Sequence, residues 1–301
     1  MIQTTVTVML TCFNRIKYTV PCIKSLVEGN PNISFRFIIT DDNSNDGTKE
    51  ALEKLPYSIM VLSGDGQLFW NGGMRKALDY ALNSAEKTDF YMLVNDDVSF
   101  GAGAIEALIE RYQNCPVKVH SAGMREVGSA PDSEGKESIG RKGAVIVGAT
   151  SDSSGKTSYG GVKLLSKHFA KFGLIEPSKE YRECDTFNGN CVLLPREIFF
   201  KAGNVDSVYR HSMSDYDYGM HIRKLGYVIY NSEGHVGTCN DNDVTGSWRD
   251  TSLSRKERLK KKESPKGLPK KDWYYFIRKN YGFLPAVYHS VTPYLRIFLG
   301  K

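Results

Sequence analysis

The stretch FRFIITDDNSNDGTKEALE, from Phe35 to Glu53, decides how the first half of this chain folds. Counted from Asp42, it matches the calcium-loop pattern D-x-[DN]-x-[DN]-G-x5-E almost position for position. A calcium-binding EF-hand needs a helix on both sides of its loop, but the residues before Asp41 are β-branched and aromatic, which is typical of a strand. The stretch therefore predicts a strand, a polar turn and the start of a helix rather than a calcium loop.

Strand and helix signals alternate on both sides of this stretch. TVTVMLTCF before it, and SIMVL and FYMLV after it, are typical of strands, with helical spacing of apolar residues between them. The first helical segment contains Pro21, which a helix tolerates in its first turn, so we expect the helix to begin just before it. The β-α-β-α-β-α-β order predicts an α/β fold with a mostly parallel, doubly wound central sheet. Ligands bind such a sheet at the carboxyl ends of its strands.

The second half of the chain is less regular. Its composition shifts near Thr251, so we predict one folded unit over 1–250 and a basic, aromatic tail over 251–301. Within the folded unit, 1–100 is expected to bind the nucleotide and 101–250 the acceptor. The elements predicted in the second half are a helix over Ala104–Tyr112, strands near Val117–Ala122 and Ala144–Val147, a helix over Arg196–Ala202 after NCVLL, and the strand YVIY.

The bulk composition is that of an ordinary globular protein. The hydrophobic fraction is 41% and the charged fraction 25%. No apolar run approaches the roughly 20 residues that a membrane helix needs, and no signal peptide is recognisable, which predicts a cytoplasmic protein. The six cysteines are scattered without a C-x-x-C pair, a spacing that argues against a zinc site and favours buried thiols.

The basic residues are concentrated near the carboxyl terminus. Arg255–Lys271 reads RKERLKKKESPKGLPKK, and an aromatic-rich segment follows it. Basic residues followed by Trp, Tyr, Phe and Leu suit an anionic membrane surface, which predicts peripheral contact with the inner face of the plasma membrane. A solvated tail is the alternative. Nucleic acid is not expected as a partner, because no nucleic-acid module motif accompanies the basic run.

Two pairs of acidic residues follow predicted strands. Asp41 and Asp42 end one strand, and Asp96 and Asp97 end another. Two adjacent carboxylates at a sheet edge repel each other, which suggests that they have a function. They could accept a hydrogen bond from a nucleobase imide or from a ribose hydroxyl. The alternative interpretation is a polar turn that caps the next helix, because Asp, Asn, Ser and Gly favour turns.

Six motifs, taken in order, resemble the family 2 glycosyltransferases, which are nucleotide-sugar enzymes with the GT-A fold. They are TCFNR, DDNSNDGT, GDGQLFWNGGMRKAL, YMLVNDDV, FNGNCVLLPREIF and SDYDYGMHIRKLGY, within Thr5 to His235. The resemblance implies an inverting transfer of a sugar from a UDP- or dTDP-sugar to a hydroxyl of a saccharide or lipid-linked oligosaccharide. The GDGQLFWNGGMR variant is similar to rhamnosyltransferase-like members from bacterial surface-polysaccharide synthesis.

The resemblance also implies a role for particular residues. Asp215 is the expected general base, with Asp217 as the fallback and the more structural of the two. Asp97 and His235 are expected to hold Mg²⁺ or Mn²⁺, which offsets the charge of the leaving diphosphate. Trp70 is expected either to stack on a sugar or to pack in the core. The expected nucleotide-sugar residues are Thr11, Phe13, Arg15, Asp42, Asn71, Gly73, Asn95 and Asp96, and the expected acceptor residues are Asn188, Gly189 and Asn190.

Two other functions are compatible with this fold class. A sugar-nucleotide pyrophosphorylase would need a Gly-rich, Arg- or Lys-bearing phosphate loop after the first strand, and TCFNR is not one. A catalytically inactive carbohydrate-binding subunit would not need the complete set of Asp42, Asp97 and Asp215. Both remain alternatives to the transferase.

Overall fold

The computed structural model describes residues 3–117, 143–166, 170–240 and 244–301. The strands are β1 Thr4–Cys12, β2 Ile33–Asp41, β3 Ser58–Ser63, β4 Phe90–Val94, β5 Ser99–Phe100, β6 Ala144–Ser151, β7 Thr157–Tyr159, β8 Gly161–Ser166, β9 Lys171–Leu174, β10 Thr186–Phe187, β11 Cys191–Pro195 and β12 Val228–Thr238. The helices are α1 Ile16–Glu28, α2 Thr48–Glu53, α3 Phe69–Asn83, α4 Ala104–Gln113, α5 Arg196–Ala202, α6 Ser214–Lys224, α7 Arg255–Lys262, α8 Lys270–Tyr281 and α9 Phe283–Phe298.

The central sheet has the strand order β3-β2-β1-β4-β11-β6-β12-β5, with β7 beside β6. Strands β1 to β4 are parallel to one another, as are β6 and β12, whereas β11 runs antiparallel between β4 and β6. The predicted mostly parallel sheet is thus confirmed. Its two halves form one sheet, and a smaller sheet has the order β10-β8-β9.

Helices cover both faces of the central sheet. Along β1, Val8 and Leu10 pack into the layer that contains α1 and α4, whereas Met9 packs into the layer that contains α3, α5 and α6. Alternate side chains of a strand point to opposite faces, so a strand with helices on both sides is buried throughout. The carboxyl ends of β1, β2 and β4 consequently meet at one edge, where Cys12 pairs with Asp41.

The position of Pro21 differs from the sequence-based expectation. Helix α1 begins at Ile16, so Pro21 lies in its second turn and not its first. Pro21 leaves the Lys17 carbonyl without an intrahelical donor, but both residues are exposed and water can satisfy that carbonyl. The strand expected near Val117–Ala122 falls at residues 118–122, which lie outside the described part of the chain, whereas Ala144–Val147 is the start of β6.

Residues 251–301, expected as a tail, contain three helices packed on the rest of the molecule. Phe276 and Ile277 of α8 and Ala286 of α9 share a buried cluster with Tyr209. Arg258 of α7 is buried and donates to the Trp248 and Lys301 carbonyls. Part of the basic run is therefore structural. No helix among the described residues is both long and apolar enough to cross a membrane.

Helix α3 approaches β1 closely because Gly73 lacks a side chain. A Cβ on Gly73 would lie 2.0 Å from Thr11 Oγ1 and 2.7 Å from Thr11 Cβ. We expect Gly73→Ala to lower the free energy of unfolding by about 1–3 kcal/mol, the usual cost of overpacking. Urea unfolding measures this. Gly72→Ala, one residue earlier, meets only the Leu68 side chain at 3.1 Å and should be near neutral. Equal stability of the two variants would contradict the packing argument.

Candidate functional site

Hydrogen bonds join the loop after β1 to the loop after β2 at the carboxyl edge of the sheet. The Asn14 amide donates to Ser44 Oγ (2.8 Å), the Asn45 amide donates to Asn14 Oδ1 (2.7 Å), and the Ile16 amide donates to Asp46 Oδ2 (3.0 Å). Asp46 Oδ1 also accepts from the Thr48 amide at the start of α2. Asp46 therefore joins the starts of α1 and α2, which is the role of a polar turn and not of a calcium ligand.

Asp42 holds the loop that leads into α3. Its Oδ1 accepts from the Gly66 amide at 2.8 Å, and its Oδ2 accepts from the Leu68 and Phe69 amides at 2.9 and 3.2 Å. The residue is only 3% exposed. Both carboxylate oxygens thus position the segment that carries Trp70. Recognition of a nucleobase by Asp42 stays a prediction.

Asp96 and Asp97, just beyond β4, both pair with the guanidinium group of Arg15. Arg15 Nε lies 3.3 Å from Asp96 Oδ1, and an Arg15 terminal nitrogen lies 2.6 Å from Asp97 Oδ2. Thr19 Oγ1 donates to Asp96 Oδ2 at 3.0 Å. Burial raises the pKa of Asp96 to about 6, with Arg15 opposing that shift and Asp97 adding to it. Asp97 is the more open carboxylate, because 29% of its side chain is exposed.

These two carboxylates suit a divalent cation that is shared with a phosphate ligand. Mg²⁺ is commonly bound by one or two carboxylates and substrate phosphates, with water completing the shell. Within the described residues, no group of three or more His, Cys, Asp and Glu side chains could hold a metal ion. The donor set of Asp97 and Asp96 therefore fits Mg²⁺ or Mn²⁺ only if a diphosphate supplies further oxygens and Arg15 releases Asp97.

Trp70 connects the strand ends to the second half of the chain. Trp70 Nε1 donates to Asn95 Oδ1 at 2.8 Å, and the Asn95 amide donates to the Asn190 carbonyl at 3.1 Å. A Cβ on Gly189 would lie 2.6 Å from the Trp70 ring, so this glycine allows the ring to approach the backbone. Trp70 thus lies between the β4 end and Gly189.

Asp215 lies in the first turn of α6 and, like Trp70, is next to Gly189. Its Oδ2 accepts from the Gly189 amide at 3.1 Å, and its Oδ1 accepts from the Tyr216 amide at 2.8 Å. Burial raises the pKa of Asp215 to about 6, and the two amide donors oppose the shift. A carboxylate with such a pKa is ionised at neutral pH and can accept a proton.

Asp217, the fallback base, has a different environment. It is 3% exposed, its Oδ2 lies 2.6 Å from Lys279 Nζ, and its Oδ1 accepts from Asn280 Nδ2 at 3.0 Å. These contacts join α6 to α8. They give Asp217 a structural role, with Lys279 as its partner.

Three of the expected nucleotide-sugar residues, Thr11, Asn71 and Gly73, make contacts within the protein. Asn71 Nδ2 donates to the Asp206 and Tyr209 carbonyls at 2.9 and 2.7 Å, and its Oδ1 accepts from Ser214 Oγ. Gly73 packs on Thr11, whose Oγ1 donates a hydrogen bond to the Thr40 carbonyl. These polar atoms have partners inside the protein, and donor binding by Thr11, Asn71 and Gly73 stays a prediction. Phe13, by contrast, is 47% exposed and free to contact a ligand.

His235 is not brought to Asp97. Its Nε2 lies 2.8 Å from Thr157 Oγ1 on β7, and the residue borders a cavity of about 370 Å³ beside α4. The residue that contacts Asp97 is Cys239, directly after β12, with its Sγ 3.5 Å from Asp97 Oδ1. The register of β12 thus directs the His235 ring to β7, and the geometry does not support His235 as a ligand of the same metal.

The expected acceptor residues form one turn beside Asp215. The Asn188 amide donates to the Gly160 carbonyl at 3.0 Å, and Asn190 Nδ2 donates to Cys239 Sγ at 3.5 Å. Gly189 is the member that contacts the candidate base directly. The turn therefore sets the position of Asp215, and sugar contact by these residues stays a prediction.

Sequence reasoning missed two residues at this site, Thr19 and Cys239. Thr19 lies one helical turn after Arg15, which is the only sequence signal that could have indicated it. Cys239 is buried, and burial raises the pKa of its thiol to about 12, so it is a poor nucleophile at neutral pH. All six cysteines are buried and free, as the sequence predicted.

Comparison with known proteins gives a family match and structural relatives. Residues 7–170 match the model of glycosyl transferase family 2. A search of curated protein sequences gave no match. The structure is similar to the mannosyltransferase PcManGT from Pyrobaculum calidifontis, solved with GDP-Man and Mn²⁺, at 12% identity and a TM-score of 0.54, covering 98% of this chain and 73% of that one. It is also similar to TarS from S. aureus, at 14% identity and a TM-score of 0.52, covering 93% of this chain and 44% of that one. At these identities the likeness shows the fold.

Proposed function

Because this chain belongs to glycosyl transferase family 2, we propose that it is an inverting, metal-dependent glycosyltransferase that uses a nucleotide-diphosphate sugar. One observation carries the proposal. Trp70 and Gly189 connect the end of β4, where Asp96 and Asp97 follow, to Asp215 through successive contacts. This supports a proposed diphosphate site at Asp96 and Asp97 next to a proposed general base at Asp215. A sugar held between Asp97 and Asp215 would have its leaving group on one side and its acceptor on the other.

In this proposal Asp215 acts on the acceptor. Its carboxylate takes the proton of the acceptor hydroxyl as the oxygen forms a bond to the anomeric carbon. The bond from that carbon to the diphosphate oxygen breaks at the same time, and the nucleoside diphosphate leaves with the electron pair. Attack from the side opposite the leaving group inverts the anomeric configuration. The Gly189 and Tyr216 amides hold the carboxylate in place.

Asp97 and Asp96 serve the leaving group. A bound Mg²⁺ or Mn²⁺ would offset the negative charge that develops on the diphosphate. Asp97, the more exposed carboxylate, would bind the metal ion. Asp96, which accepts a hydrogen bond from Thr19, would help to hold Asp97 in position. Arg15 would exchange its contact with Asp97 for the phosphate oxygens, a geometry that guanidinium groups favour.

The donor is proposed to be a UDP- or dTDP-sugar, with Phe13 and Asp42 near the base. PcManGT was solved with GDP-Man, so a guanine nucleotide belongs in any donor screen. The acceptor is proposed to be a hydroxyl of a saccharide or lipid-linked oligosaccharide in bacterial surface-polysaccharide synthesis, at the inner face of the plasma membrane. The resemblance of the GDGQLFWNGGMR segment to rhamnosyltransferase-like members and the cationic carboxyl-terminal helices support this part of the proposal.

Release of free nucleoside diphosphate tests the proposal. The full chain is incubated with UDP-, dTDP- and GDP-sugars, with Mn²⁺, with Mg²⁺ and with a chelator. We expect slow hydrolysis of one donor class in the presence of the metal and loss of that hydrolysis with the chelator. Thermal shift with the same donors gives a readout that does not depend on turnover. Neither turnover nor a metal-dependent shift with any donor would refute the proposal.

A further inference from the structure

Helix α9 has an apolar face that is exposed to solvent. The face consists of Phe283, Leu284, Val287, Val291, Leu295 and Phe298. At about 100° per residue, these six side chains fall within an arc of roughly 120°. On the opposite side Ala286, Pro293 and Ile297 are buried against the protein. The helix is thus fixed by one side and presents large apolar side chains on the other, an arrangement that marks an interaction site.

The segment that carries this apolar face is strongly cationic. Residues 255–301 contain thirteen Lys and Arg and three Asp and Glu, a formal charge of +10. The whole chain carries only +6, so the remaining residues carry −4. The Arg255 guanidinium lies 5.2 Å from the Phe298 ring centroid, at the border of the face. Lys256, Lys260 and Lys261 on α7 and Arg296 on α9 are exposed.

We propose that the α9 apolar face docks on the surface of an anionic phospholipid bilayer. Apolar side chains enter the boundary between headgroups and acyl chains, while neighbouring Lys and Arg contact lipid phosphates. A helix of 16 residues is about 24 Å long, and no described helix can cross a membrane, so α9 lies along the interface. A second copy fits less well, because a two-fold contact through α9 would bring two segments of charge +10 together.

Docking through α9 would set the height of the active site above the lipid. Trp273 Nε1 of α8 donates to the His289 carbonyl of α9 at 3.0 Å, and Lys279 of α8 pairs with Asp217 of α6. Asp215 lies in the first turn of the same α6. The α9 face is therefore joined to the candidate base by two packed helices. Docking itself does not rest on the proposed function; only its use for a lipid-linked acceptor does.

Vesicle flotation of the full chain tests the docking. The vesicles contain either phosphatidylcholine alone or equal parts of phosphatidylglycerol and phosphatidylcholine. We expect binding to the anionic vesicles that weakens with added salt. Leu284→Glu with Leu295→Glu should reduce the partition coefficient by about tenfold or more, because it replaces apolar contacts by anions. Leu165→Glu, at an exposed leucine on β8, should leave the partition coefficient unchanged.

A second pair of substitutions tests the exposed lysines of α7. Lys256→Glu with Lys260→Glu should remove most of the preference for anionic vesicles, even if the leucine variant fails to fold. Absence of wild-type binding, or equal binding by all variants, would overturn the proposal. So would a wild-type dimer in analytical ultracentrifugation that Leu284→Glu with Leu295→Glu dissociates. Donor hydrolysis without vesicles, measured on the same samples, separates a failure of docking from a failure of the transferase assignment.

Discussion

Asp215→Asn is expected to lower kcat by about 10²–10⁴-fold, the range that a positioned general base contributes. The asparagine keeps the size of the side chain but cannot take the acceptor proton. Donor binding should change little, because the Asp215 carboxylate pairs with the Gly189 and Tyr216 amides, whereas the proposed diphosphate site is formed by the carboxylates beyond β4. Single-turnover kinetics with a saturating donor measure the loss, and isothermal titration of the donor measures the unchanged affinity.

The pH dependence gives a second readout of the same residue. Because burial raises the pKa of Asp215 to about 6, the base is ionised above that pH and protonated below it. Wild-type kcat should therefore fall as the pH drops through about 6. The acidic limb should be weaker in the residual activity of Asp215→Asn, where only Asp96, whose pKa burial also raises to about 6, still contributes to it.

Asp217→Asn provides the matched control. It removes the ion pair with Lys279, so we expect it to lower thermal stability while leaving kcat and the acidic limb near wild type. If Asp217→Asn loses turnover and Asp215→Asn keeps it, the assignment of the base is wrong.

Asp97→Asn is expected to reduce turnover by about 10²–10³-fold, as the loss of one group that stabilises transition-state charge commonly does. The amide removes the more exposed of the two carboxylates and leaves Arg15 paired with Asp96 alone. Electron paramagnetic resonance titration with Mn²⁺ should show weaker binding, so the effect on the metal is measured apart from turnover. Asp79→Asn, an exposed carboxylate on α3, should change neither quantity.

Arg15→Gln should have the opposite effect on Mn²⁺ in the absence of nucleotide. Arg15 holds the Asp97 carboxylate at 2.6 Å, so removing the guanidinium frees that carboxylate for a cation. Tighter Mn²⁺ binding by Arg15→Gln and weaker binding by Asp97→Asn would identify one shared site. Unchanged Mn²⁺ binding in both variants would contradict the assignment of the metal to Asp97.

Sequence patterns predicted the first four strands and the helices between them because each pattern is local. β1 alternates, β4 is continuously apolar, and α3 has helical spacing, so both buried faces can be inferred before any contact is known. Family resemblance then indicated the carboxylates at the strand ends. The roles of single residues were harder to predict from the sequence. Asn71 and Gly73 have the positions of family motif residues, yet their partners are Tyr209 and Thr11, distant in sequence or on another element.

The sequence by itself determined the α/β order, the carboxylates beyond β2 and β4, and the concentration of cations near the carboxyl terminus. These properties depend on neighbouring residues and on strand direction. Only the tertiary structure decided that Gly189 places Asp215 beside Trp70, that Arg15 spans Asp96 and Asp97, and that Cys239, directly after β12, contacts Asp97 where His235 was expected. It also decided which side of α9 is packed. Side-chain partners from distant segments depend on strand register and helix packing, and no local pattern encodes either.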